Sequence, residues 1–197
     1  MLEISPTKYG HGAAALPAGT RVIADIAAVL GGSLLIALCA QLRIPLPFTP
    51  VPITGQTFAV LLLPALLGGW RGPAAVAAYL LQGALGLPFF AGGTAGWAML
   101  AGPTGGYLVG FFAAAALIPL ILGRDAASPA RIVAALLAGN VAIYLFGVPW
   151  LDRFVDGQLV TAIELGLTPF LIGDAIKLLA ASALAVAAGS TQRLPQR

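Results

Sequence analysis

Charge is scarce in this sequence. Asp, Glu, Lys and Arg make up 9% of its 197 residues, hydrophobic residues 59%, and the mean hydropathy is +0.97. A water-soluble domain carries about 25% charge, so most of this chain's surface is expected to face lipid. Cysteine and histidine are nearly missing, with one of each, Cys39 and His11. A lone cysteine excludes an intramolecular disulfide, and Cys39 lies in an apolar stretch, where it reads as a small hydrophobe. A lone histidine in a tail argues against a histidine-built metal or catalytic site, and no metal or cofactor is expected. No nucleophile–base pair, metal cluster or ATP-binding motif occurs, which disfavours a multipass membrane enzyme. No repeated pore motif or ring of charge suggests a channel. The net charge of +3 is small, and nucleic acid is not an expected partner.

What the chain does have is long apolar runs. Six are expected as transmembrane helices, at about 24–42, 54–67, 73–86, 107–122, 131–146 and 169–188, which makes the chain one all-α integral membrane domain. Residues 1–20 read as a tail, and no cleavable signal peptide is expected because the first apolar run starts only near Ala24. The second and third runs are shorter than the ~20 residues a bilayer core needs, a feature of segments that flank binding sites in transporters. Pro45, Pro47, Pro50 and Pro52 forbid helix between the first two runs and favour extended backbone. Leu159, Ala162, Ile163 and Leu165, beside Asp156 and Glu164, suit a short interfacial helix.

The few charges are unevenly placed. Six spans put both termini on one side, together with Lys8, Arg21, Arg71, Arg124, Arg131, Arg193 and Arg197. The opposite side holds Arg43 and Arg153 alone, and Lys177 lies within the last span. Excess Lys and Arg marks the cytoplasmic face, so the termini are expected inside. The three long loops, 43–53, 87–106 and 147–167, then fall outside, and a ligand pocket is expected near the outer face.

One of those loops is unusual. LPFFAGGTAGWAMLAGPTGGYLVGF, Leu87 to Phe111, contains Gly92, Gly93, Gly96, Gly102, Gly105 and Gly106 and no charge. It has no lysine for a phosphate-binding loop, and no βαβ pattern surrounds it for a dinucleotide site. Two readings stay open. The glycines let helices pack closely, or the stretch is irregular backbone lining a cavity, which is tolerated at membrane depth only where protein or a cavity surrounds it. Gly93, Thr94, Trp97, Thr104 and Tyr107 are its candidate ligand contacts.

The second chemical feature is Gly173-Asp174-Ala175-Ile176-Lys177. Counted from Pro169, Asp174 and Lys177 lie about 7 and 12 Å along the last span, on one face. Ionisable groups at such depth are expensive and usually functional, although a structural ion pair that fixes helix packing is the open alternative. Gln56, at the outer start of the second span, joins the candidate site. A pocket holding one acid, one base, aromatics and amides suits a small solute with an anionic group and hydrogen-bonding heteroatoms. On the first span, Ala24, Ala28 and Gly32 share a smooth face suited to a partner helix. Ala27 and Gly31 share another.

PVPITGQTFAVLL (Pro50 to Leu62), AGPTGGYLVGF (Ala101 to Phe111) and the late GDAIK occur in that order along nearly the whole chain. Together they resemble the BioY family, the biotin-binding S components of energy-coupling factor (ECF) vitamin transporters. The resemblance implies a six-helix protein of a prokaryotic cell membrane that captures biotin from outside. It also implies partners, namely a transmembrane T component and two ABC-type ATPases. It assigns Asp174 and Lys177 to the biotin site and the small-residue face of the first helix to the T component. A stand-alone vitamin permease would share the same site chemistry.

Overall fold

The computed structural model of the protein describes residues 18–123 and 128–191. His11, Lys8, Arg124, Arg193 and Arg197 therefore lie outside the described residues, as does most of the expected tail. Each of the six expected apolar runs is a helix: α1 (Ala18–Gln41), α2 (Gln56–Leu67), α3 (Arg71–Ala84), α5 (Gly105–Leu122), α6 (Pro129–Leu151) and α8 (Leu171–Thr191). Two short helices interrupt the loops, α4 (Trp97–Ala101) in the glycine-rich stretch and α7 (Leu159–Gly166) where the interfacial helix was expected. The all-α expectation needs one amendment. The proline-rich connection forms an antiparallel ribbon, β1 (Arg43–Ile44) with β2 (Ile53–Thr54).

Among the described residues, four helical stretches are long and apolar enough to cross a membrane: Gly19–Gln41, Gly105–Leu122, Pro129–Phe154 and Leu159–Gly189. Helices α2 and α3 have 12 and 14 residues. At ~1.5 Å per residue they reach only about 18 and 21 Å, short of a hydrocarbon core of ~30 Å. Large apolar side chains cover the outside of the bundle, Ile172, Leu120 and Leu145 among the most exposed. Apolar surface on this scale is a liability in water and ordinary in lipid.

Helix α6 runs to Leu151, five residues past its expected end, and carries Pro149 inside it. Proline removes a helix hydrogen bond and should stop the run. Tertiary packing overrides that preference, because Gly147 faces the Tyr107 ring and Leu151 is fully buried. Glycine sets the spacing of α5 and α6. A Cβ on Gly106 would fall 2.2 Å from the Cβ of Trp150, and one on Gly110 would fall 2.8 Å from the Ile143 backbone. Close approach of this kind is how small residues join membrane helices, so the packing reading holds for Gly106 and Gly110. Gly92, Gly93 and Gly96 instead have φ of +74°, +72° and +93°, turn conformations that side chains resist.

The small-residue row on α1 divides. Ala24 is exposed and Ala28 half-buried, but Gly32 is buried. A Cβ there would lie 2.9 Å from Ala75 of α3. Gly32 is thus a packing position within the chain, because the row of every fourth residue drifts around the helix toward α3. The small residues left on the outside are Ala24, Ala27 and Gly31.

A candidate ligand pocket at one end of the bundle

Three helices, α2, α5 and α8, begin at the same end, and α6 finishes there. Their ends enclose a cavity of about 640 Å³, counting its open mouth, and clefts between the helices of a bundle are common places for small-molecule sites. The N-terminus of α1 and the C-terminus of α8 lie at the far end. The floor and walls are apolar, with Phe90, Met99, Phe111 and Phe170 among them.

The polar side is organised on Asp174, which is 4% exposed. Lys177 Nζ donates to its Oδ1 at 2.8 Å, and Thr57 Oγ1 donates to the same oxygen at 3.2 Å. The Tyr144 hydroxyl donates to Oδ2. Both carboxylate oxygens are engaged, by groups from α2, α6 and α8. Because α8 starts at Leu171, Asp174 stands in its first turn, less deep along the helix than a count from Pro169 suggests. The preceding Thr168–Phe170 form a separate 3-10 turn. The positive end of the helix dipole favours a carboxylate there, so burial costs less than at a span centre.

A second polar chain borders the cavity. Thr54 donates its hydroxyl to Gln56 Oε1 at 2.8 Å, and Gln56 Nε2 donates to the buried Tyr79 hydroxyl. Gln82, one turn beyond Tyr79 on α3, accepts a hydrogen bond from Ser33 of α1. Asn140, a lone amide within α6, has its Oδ1 unpaired among the described residues.

Of the expected contacts, Gln56, Thr104, Tyr107, Asp174 and Lys177 line the cavity. The Tyr107 hydroxyl donates to the Gly166 carbonyl at 2.7 Å, tying α5 to α7. Gly93, Thr94 and Trp97 do not line it. Gly93 occupies the tight turn, Thr94 donates to the Ala91 carbonyl at 3.2 Å, and Trp97 is 63% exposed. Thr57 and Tyr144 are the polar residues that sequence reasoning missed. Both carried a signal. Thr57 lies inside the PVPITGQTFAVLL motif, and Tyr144 follows Asn140 by four residues, on the same face of an otherwise apolar helix.

The sequence profile of the BioY family matches residues 11–193. The biotin transporter BioY of Thermotoga maritima is 43% identical over 143 residues, 73% of this chain and 83% of that protein. The biotin transporter BioY of Rhizobium etli is 36% identical over 163 residues, 79% of this chain and 87% of that protein. Among solved structures, the S-component for biotin from an ECF-type ABC transporter superposes with a TM-score of 0.78 at 25% identity. The match covers 91% of this chain and 96% of that one.

Proposed function

The chain belongs to the BioY family, and from that premise we propose that it is the biotin-capturing S component of an ECF-type transporter in a prokaryotic membrane. Its relatives are transporters, so the task is binding and delivery without catalysis. The observation that carries the reading is the carboxylate of Asp174, buried at a cavity wall with Lys177 beside it. Biotin has ureido N–H groups for a carboxylate and a carboxylate of its own for a cation. Its apolar thioether ring and tail suit the Phe90, Met99 and Phe170 walls. Gln56, Thr104, Tyr107, Asp174 and Lys177 form the proposed site, joined by Thr57 and Tyr144. Delivery inward then requires a T component and two ATPases, with the exposed Ala24, Ala27 and Gly31 side of α1 the better candidate for helix contact.

Calorimetric titration of the purified chain tests the reading: biotin should bind, with thiamine and riboflavin inert. Binding of either control in preference to biotin would sink it. In the same reading all six main helices belong to the membrane domain, α2 and α3 as short crossings, with the termini cytoplasmic and the cavity facing out. The seven-to-two distribution of Lys and Arg supports that orientation. A cysteine placed at Gln158 in a Cys39→Ser chain should then react with an impermeant reagent in intact cells. Protection until lysis would reverse the orientation.

A further inference from the structure

A groove runs beside the cavity, between the β1–β2 ribbon and α8. Gln41, Arg43, Ile44 and Ile53 line it, and Thr54 and Lys177 line both the groove and the cavity. Lys177 therefore stands at the junction of the two. Arg43 comes from the ribbon and lies on the glycine-rich loop. A Cβ on Gly92 would fall 2.5 Å from Arg43 Nη1 and 3.3 Å from its Cδ, so only a bare backbone lets the guanidinium sit so close. The neighbouring Ala91 is part of the cavity wall. Gln41 fastens the same loop, donating from Nε2 to the Phe90 carbonyl at 3.3 Å.

Arg43 differs from the other charged groups near the cavity. Neither ion pair among the described residues includes it, and no side-chain hydrogen bond there engages its guanidinium. A guanidinium has five N–H donors in a planar fork that matches a carboxylate. Asp174 needs donors and repels an anion, so a ligand bound against it must direct any negative group elsewhere. The groove, with Lys177 at its inner limit and Arg43 at its lip, supplies that place.

We propose that this groove is the carboxylate subsite of the pocket and that Arg43 is a specificity-determining residue. It takes the tail carboxylate of the ligand together with Lys177, while the ring end lies in the cavity near Asp174. The assignment rests on the biotin reading above.

The test is calorimetric titration of the full chain in detergent with biotin and with biotinamide, whose tail is neutral. Wild type, Arg43→Ala and Arg43→Lys are compared. The wild type should prefer biotin. Arg43→Ala should bind biotin about five- to tenfold more weakly, the scale of a partly exposed charge-assisted contact, and biotinamide within about twofold of wild type. Arg43→Lys should recover part of the loss. Equal losses for both compounds would make Arg43 a prop for the loop, and unchanged biotin affinity would remove it from the site. Either result overturns the proposal, as does a wild type that does not prefer biotin. A wild type that binds neither compound defeats the ligand assignment itself, and the subsite with it.

Discussion

Two acid–base pairs stand at opposite ends of this molecule and have little in common beyond their chemistry. At the far end from the cavity, Arg71 Nε donates to Asp25 Oδ1 at 2.7 Å, with side-chain exposures of 45% and 24%. At the cavity, Lys177 donates to Asp174 at 2.8 Å, with exposures of 18% and 5%. Asp25 has one side-chain partner among the described residues, whereas Asp174 has three, drawn from three helices. Exposed pairs contribute little because solvent screens them and side-chain entropy opposes them, about 0–1 kcal/mol. Buried ones are costly to assemble and far costlier to break. The difference lies in what surrounds the pair: one joins α1 to the start of α3, while the other lines the cavity of the proposed site.

The sharpest way to break this comparison is to remove one member of the buried pair. In Asp174→Ala the Lys177 ammonium loses its partner, and the hydroxyls of Thr57 and Tyr144 lose their acceptor. Truncating one side of a desolvated charge pair costs about 2–5 kcal/mol, or roughly 30-fold to several thousand-fold in affinity. Calorimetry with biotin should show at least the lower figure for Asp174→Ala and for Lys177→Ala. Near-normal affinity in both folded variants would make the pair structural and move the site elsewhere. A graded step follows from Tyr144→Phe, which deletes one of the three donors and keeps the ring. Biotin should bind about tenfold more weakly, the scale of one hydrogen bond to a charged group, and the thermal midpoint should fall as well, because the same hydrogen bond is made without ligand. A drop in stability without a drop in affinity would assign Tyr144 to packing.

The same contrast explains how much was legible in the sequence. Asp174 and Lys177 stood out because a charge in a 21-residue apolar helix has few bland explanations. The six main helices were legible from hydropathy and from Pro and Gly. Thr57 and Tyr144 act only because α2 and α6 bring them to α8, and spacing within one helix carries no information about that. Gly32 misled for the same reason: a small residue permits close approach, and only the fold shows that Ala75 of this chain is what approaches. Pro149 marks an end by local rules, yet the helix continues because Leu151 has a place in the core. Asp25 and Arg71 were visible as charges and the glycine-rich turn before α3 was legible too, but the packing of α1 against the start of α3 that pairs the two charges was not.

The smallest expected effect belongs to that outer pair. Arg71→Gln removes the cation and keeps a hydrogen-bonding side chain of similar reach. Because Asp25 retains 24% side-chain exposure, water can replace the lost donor, and the stability change should stay within about 0.2–1 kcal/mol. Biotin affinity should remain within about twofold of wild type, since Arg71 belongs to the end of the bundle away from the cavity and a partly exposed charge there is screened over about 10 Å. Thermal unfolding in detergent and biotin calorimetry at two salt concentrations would measure both quantities. The stability difference between wild type and variant should shrink as salt rises, whereas the deficit of Asp174→Ala should persist, because a buried charge is not screened in this way. If Arg71→Gln weakened biotin binding as severely as Asp174→Ala, the two ends would be energetically coupled. The pair would then belong to the transport machinery and not to the packing of α1 against α3.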